Sequence, residues 1–215
     1  MASAELAVVD VHLRAAVVAD LLKKFFPKVP QFLHGGSPFQ LLVAVVLSAR
    51  CTDRQVERIT PGLFAQAPTP DAMLQLPLDR LEHLIHSAGF FRQKARALHD
   101  LSLRLVQDFA SSVPLNFSDL ESLPGVGHKT ASVVLGLCTD LPTFPVDTHV
   151  ARLAVRWKLA GPWSVEKIEK NLKKLFPKKE WGNIHGRMIA YGRTECTARG
   201  CDGSRCRICQ RLQKL

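Results

Sequence analysis

Leu123-Pro124-Gly125-Val126-Gly127-His128-Lys129-Thr130 decides how the chain is read. Two glycines and a proline make a tight hairpin, and the residues after it open a helix. Glycine tolerates positive φ and has no Cβ, so Gly125 and Gly127 let a backbone approach a ligand closely. The first N–H groups of the following helix lack intrahelical partners and sit at its positive end, an arrangement that favours phosphate. Lys129, on the first turn, is then either one more phosphate contact or a nucleophile.

Outward from the hairpin, Ser118 and Glu121 match a capping box, so a short helix is expected before it. Ser118 through Cys138 therefore reads as helix, hairpin, helix, a sequence-independent grip on a nucleic-acid backbone. The rest of the pattern is helical too. Ser37-Pro38 and Thr69-Pro70 are cap-then-proline starts, and Ser164 caps a basic amphipathic stretch that ends by Pro177. Leu41 to Leu47 is a core helix, and Leu98, Leu101, Leu105 and Phe109 share one helical face after Lys94. No stretch shows the alternation of a strand, so the expected fold class is all-α.

The chain has 215 residues, of which 47% are hydrophobic, enough to bury a core in one domain or two small ones. The longest apolar run is too short for a bilayer, and the first ten residues carry Glu5 and Asp10 without a basic residue. The expectation is a cytoplasmic protein with no membrane partner, in the bacterial cytoplasm or nucleoid. The formal net charge of +10 is lopsided: residues 143–215 hold 16 Lys+Arg against 6 Asp+Glu, whereas residues 1–142 balance at 13 each. A one-sided basic surface fits a polyanion or a solvated helix face.

Four of six cysteines, Cys196, Cys201, Cys206 and Cys209, fall within 14 residues, which points to metal before disulfide. Cys51 and Cys138 lie in apolar surroundings and are expected to be buried. In Val146-Asp147-Thr148-His149, Asp147 or Thr148 can cap a helix, or Asp147 can serve a lysine amine as a carboxylate partner. A lysine at a positive dipole end in a shielded cleft would have a lowered pKa, as a Schiff-base amine requires.

Leu123–Thr130 with Lys129, Asp147 18 residues on, and the four C-terminal cysteines together resemble the endonuclease III family of bifunctional DNA glycosylases. Phe39 to Asp53 resembles that family's helix and loop before the first DNA-facing turn, and Ala88 to Ala95 its second DNA-facing loop. The resemblance implies two helical domains with a DNA-binding cleft between them. One is a bundle over residues 31–141 that contains the helix-hairpin-helix (118–138). The other combines residues 1–30 with 142–215 and carries a C-terminal [4Fe-4S] cluster on Cys196, Cys201, Cys206 and Cys209. It implies Lys129 as the Schiff-base nucleophile and Asp147 as its carboxylate partner. DNA contacts are implied for Gly125, Val126, Gly127, His128 and Thr130, with Phe90 as a wedge in the base stack. Arg50 stands where the family commonly has Gln, facing the opposite strand, and can bind phosphate or a guanine edge.

The cysteine gaps of four, four and two residues depart from the family's spacing. One Cys-x2-Cys knuckle, Cys206 to Cys209, favours the iron–sulfur cluster over a structural zinc, which usually shows two. The expected activity is release of oxidised or damaged pyrimidines from duplex DNA, followed by strand cleavage at the abasic site, by a monomer. Two alternatives stand beside it. A monofunctional mismatch glycosylase would lack the hairpin lysine and use an acid in the region of Leu41 to Leu47, which has none. A non-catalytic helix-hairpin-helix DNA-binding protein would gain nothing from a carboxylate near phosphates.

Overall fold

The structure is a computed structural model that describes residues 2–30 and 36–215, with side chains from Val11 onward. Regular structure among the described residues is helical throughout, in agreement with the all-α expectation. None of these helices is long and apolar enough to cross a membrane. The chain divides into two compact units, Met1–Gln31 with Pro142–Leu215, and Phe32–Leu141. The domain boundary expected at residue 31 falls among residues 31–35, outside the described residues.

The central unit is built on α2 (Pro38–Ser48), whose buried run from Leu41 to Leu47 leaves no polar face. Such a helix needs neighbours on every side. It packs against α3 (Asp53–Gln66), α6 (Phe91–Phe109) and α8 (His128–Cys138). Ser37 starts it by accepting from the Gln40 amide at 3.2 Å, with Pro38 in the first turn where its missing N–H costs nothing. Ala95, Leu98, Leu101 and Leu105 give α6 its buried stripe, on which α4 (Pro70–Gln75) and α5 (Leu78–Leu84) also pack. Each fully buried leucine here contributes about 1.5–3 kcal/mol.

In α7 (Phe117–Ser122) the cap differs from the sequence reading. Asn116, not Ser118, accepts from the Asp119 amide at 3.0 Å. Asn is as good a cap as Ser, and Leu120 of this helix is buried in the core. Cys51 and Cys138, expected to be buried, are half-buried because each lies at or just past the end of its helix.

The other unit joins α1 (Ala2–Phe25) to α9 (Thr148–Arg156), α10 (Val165–Leu175), α11 (Trp181–Thr194) and α12 (Arg207–Leu212). Two contacts explain why distant parts of the chain share a core. Buried Arg187 on α11 donates from Nε to the Phe26 carbonyl at 2.9 Å, satisfying the C-terminal end of α1. Next to it, a Cβ on Gly186 would meet Val29 Cγ1 at 2.6 Å, so any larger residue would have to push Val29 aside. Trp157 and Tyr191 are fully buried beneath, edge to face at 5.8 Å.

Candidate nucleic-acid interface and cysteine centre

The hairpin is closed by the Val126 amide donating to the Leu123 carbonyl at 3.1 Å. Gly125 takes φ +77, and a Cβ there would lie 3.3 Å from the Ala97 Cβ, so both backbone conformation and packing demand glycine. Gly127 is different. Its backbone is extended (φ −96, ψ 176) and a Cβ would meet nothing within 4 Å. As the N-cap of α8 it supplies no side chain to the amides of the first turn. Nothing in the protein itself requires glycine at position 127.

The residues expected at DNA are placed unevenly. His128 is exposed, its Nδ1 2.7 Å from Glu121 Oε1 and its ring stacked on Phe117 at 5.2 Å, so it bridges the two helices of the hairpin. Lys129 and Thr130 follow on the first turn of α8, Lys129 second in the helix and Thr130 third and half-buried. Val126 is only 5% exposed and its amide is spent on the turn. Its side chain anchors the hairpin in the core.

Two further loops of the same unit meet. Arg50, just past α2, and Phe90, just before α6, both adopt left-handed backbone (φ 52 and 59). Phe90 is 55% exposed, so it is not the core aromatic that its type would suggest. The Arg50 guanidinium lies 5.2 Å from the Phe90 ring centre. A Cβ on Gly89 would come within 3.2 Å of the Arg50 carbonyl oxygen, so the backbones of the two loops also touch closely.

In the other unit, Asp147 is the N-cap of α9, its Oδ1 accepting from the Val150 amide at 2.8 Å. It is half-buried, leaving its carboxylate partly accessible. His149 has its Nδ1 3.4 Å from Arg152 Nη2.

Cys196, Cys201, Cys206 and Cys209 are all buried, and their Sγ atoms lie within 4.8 Å of one another. Hydrogen bonds from the Cys196 and Cys209 thiols hold Cys206 below the usual thiol range, and the same cluster of contacts pushes Cys209 up. Arg156 donates to Cys196 Sγ at 3.2 Å and to the Thr197 carbonyl at 3.0 Å. Arg152, one turn earlier, donates to the Gly192 and Cys196 carbonyls at 2.8 and 3.0 Å. Four convergent thiols, with a guanidinium to balance thiolate charge, make a centre that can bind a metal cluster. The two arginines do not stand out in the sequence. Their spacing of four on α9 is the available signal, but nothing marks its target.

This fold and hairpin define a class: residues 43–178 match the family model of the HhH-GPD superfamily base excision DNA repair protein. The chain is 41% identical to endonuclease III of Synechocystis sp. over 187 residues, covering 86% of this chain and 85% of the relative. It is 39% identical to endonuclease III of Bacillus subtilis over 195 residues, covering 90% and 87%. A solved structure of a trapped endonuclease III–DNA covalent intermediate, an estranged-adenine complex, superposes with a TM-score of 0.84 at 39% identity, covering 90% of this chain and 94% of that one. The chain belongs to the endonuclease III family.

Proposed function

We propose that this protein is a bifunctional DNA glycosylase and abasic-site lyase that removes oxidised or ring-damaged pyrimidines from duplex DNA, with Lys129 as the nucleophile. The observation that carries the reading is the position of Lys129, second in α8 immediately after the Gly125–Gly127 hairpin. Hairpin amides and the α8 dipole seat a phosphate of the strand. An amine one residue into that helix is then held within a side chain's length of the adjoining sugar.

The balance of bonds follows from that placement. The damaged base leaves the stack, because its glycosidic carbon is out of reach within the duplex. Neutral Lys129 Nζ attacks C1′, and the C1′–base bond breaks with its electron pair passing to the departing base, which takes up a proton. The sugar ring opens as the C1′–O4′ bond breaks, with its electron pair passing to O4′, and a Schiff base forms between Nζ and C1′; the two protons given up by the amine balance those taken up by the base and by O4′. Loss of a C2′ proton expels the 3′ phosphate by β-elimination, cleaving the strand 3′ to the lesion. Water then hydrolyses the imine and frees the lysine. Asp147 takes or holds the proton of the lysine, or stabilises positive charge at the sugar.

Gly125, Gly127, His128 and Thr130 grip the backbone, with Val126 anchoring the turn beneath them. Phe90 fills the space left by the flipped base, and Arg50 faces the opposite strand. The exposed Lys167, Lys170, Lys174, Lys178 and Lys179 of the basic last third add nonspecific attraction to the duplex.

The four cysteines hold a [4Fe-4S] cluster in this reading. The donor set fits: four buried thiols, converging within 4.8 Å, with Arg156 on one of them. Such a group, when bound, supplies rigidity to the C-terminal loop and an electron-transfer centre. The two units are the bundle domain with the hairpin and the cluster-bearing domain, and the working form is a cytoplasmic monomer.

The test is a duplex carrying one oxidised pyrimidine, assayed separately for released base and for strand breaks. Wild-type protein releases the base and leaves a 3′ unsaturated aldehyde end. Lys129→Gln loses both. A Lys129→Gln protein that still cleaves the strand refutes the assignment, and base release without cleavage by the wild type favours the monofunctional alternative.

A further inference from the structure

Lys94 is the one lysine among the described residues that is buried, at 8% exposure. It sits in the first turn of α6, where a cation opposes the helix dipole. Burial also pushes its amine below the ordinary lysine range, against a weaker opposite pull from Cys51. A methionine would fill the same space without either cost. What the ammonium adds is a bond: Nζ donates to the Leu47 carbonyl at 2.9 Å, across 47 residues of sequence. Leu47 lies in the last turn of α2, three residues before Arg50, where a cation suits the dipole. The main chain of Lys94 points the other way, its amide donating to the Phe90 carbonyl at 3.0 Å. One residue thus holds the roots of both protruding side chains, Arg50 and Phe90, which touch each other at their tips.

We infer that Lys94 is a positioning residue for opening the duplex: its bond to Leu47 fixes the Arg50 loop against the Phe90 loop, so the pair enters the base stack as one preorganised wedge. The inference rests on the glycosylase reading. Without the strut, each loop must be ordered during insertion, and that cost is added to every encounter with a stacked lesion. A lesion that is already unstacked needs no wedge, and the strut has nothing to contribute there.

The experiment compares two substrates under single-turnover conditions, well below the melting temperature of each variant. One is a duplex with a paired oxidised pyrimidine. The other places an abasic site in a three-base unpaired bubble, with borohydride capture as its readout. Lys94→Met is expected to slow excision from the paired duplex by about tenfold or more, while capture on the bubble stays within about twofold. Gly89→Ala serves as a second variant, because its new methyl group presses on the Arg50 carbonyl and leaves the Lys94–Leu47 bond untouched. It should show the same bias to a smaller degree. Equal slowing on both substrates assigns Lys94 a merely structural role, and no slowing on either removes the role altogether. Either result overturns the inference while leaving the glycosylase reading in place. Wild-type protein that forms no adduct on the bubble sinks that reading, and the inference with it.

Discussion

Arg50 and Phe90, forty residues apart in sequence, stack as guanidinium on ring at 5.2 Å, and both hold left-handed backbone. That conformation costs a bulky residue about 1–2 kcal/mol. Half-exposed Phe90 recovers little of that by burial. Stability is not what the pair optimises, which accords with the proposed use of both residues at the DNA surface.

Phe90→Gly should therefore separate stability from activity. Relief of the left-handed strain leaves the melting temperature unchanged or raised, because glycine adopts φ 59 freely. Excision from a paired duplex should fall about tenfold or more, with binding of undamaged DNA little changed. Thermal unfolding and single-turnover excision on the same preparation check both halves.

The two hairpin glycines should respond oppositely to alanine. Gly125→Ala forces a methyl into φ +77 and against Ala97, which should destabilise by about 1–2 kcal/mol. Gly127→Ala meets open space and should be neutral or slightly stabilising. Under the proposed phosphate grip, the Gly127 variant should still bind duplex DNA more weakly, because its methyl fills open space at the N-terminus of α8. Chemical denaturation and a binding isotherm at fixed salt distinguish the two.

Asp147 combines a cap with a carboxylate. Asp147→Asn keeps the bond to the Val150 amide, since Asn caps as well as Asp, and should stay within about 0.5 kcal/mol of wild type. It removes the negative charge, so base release should fall sharply. Asp147→Ala should lose about 1 kcal/mol besides. If Asp147→Asn retains full activity, the residue is a cap and no more.

The helix starts are legible in the sequence because each depends on neighbouring residues: Ser37-Pro38, Thr69-Pro70 and Ser164 all cap as read. Asn116 escapes that reading because Ser118 matches a familiar box two residues later. The hairpin and the cysteine set stand out because their residues are adjacent in sequence. Lys94 on Leu47, Arg50 on Phe90 and Arg156 on Cys196 do not, since each joins residues about forty positions apart through packing. Nor does local sequence reveal that Val126 turns into the core while Gly127 faces open space.

The cysteine centre can be tested by composition. Protein purified without oxygen should carry about four iron and four acid-labile sulfide per chain, whereas a structural zinc would give about one zinc and no sulfide. Cys206→Ser should lower the iron content and the melting temperature together, because ligation stabilises the loop that carries α12.

Borohydride trapping on a duplex with a single abasic site tests the role of Lys129 most directly. Wild-type protein should form a covalent protein–DNA adduct, mapped by peptide analysis to Lys129, and Lys129→Ala should form none. An adduct of equal yield with Lys129→Ala, or intact DNA binding with no adduct from the wild type, would contradict that role and leave Lys129 a phosphate contact.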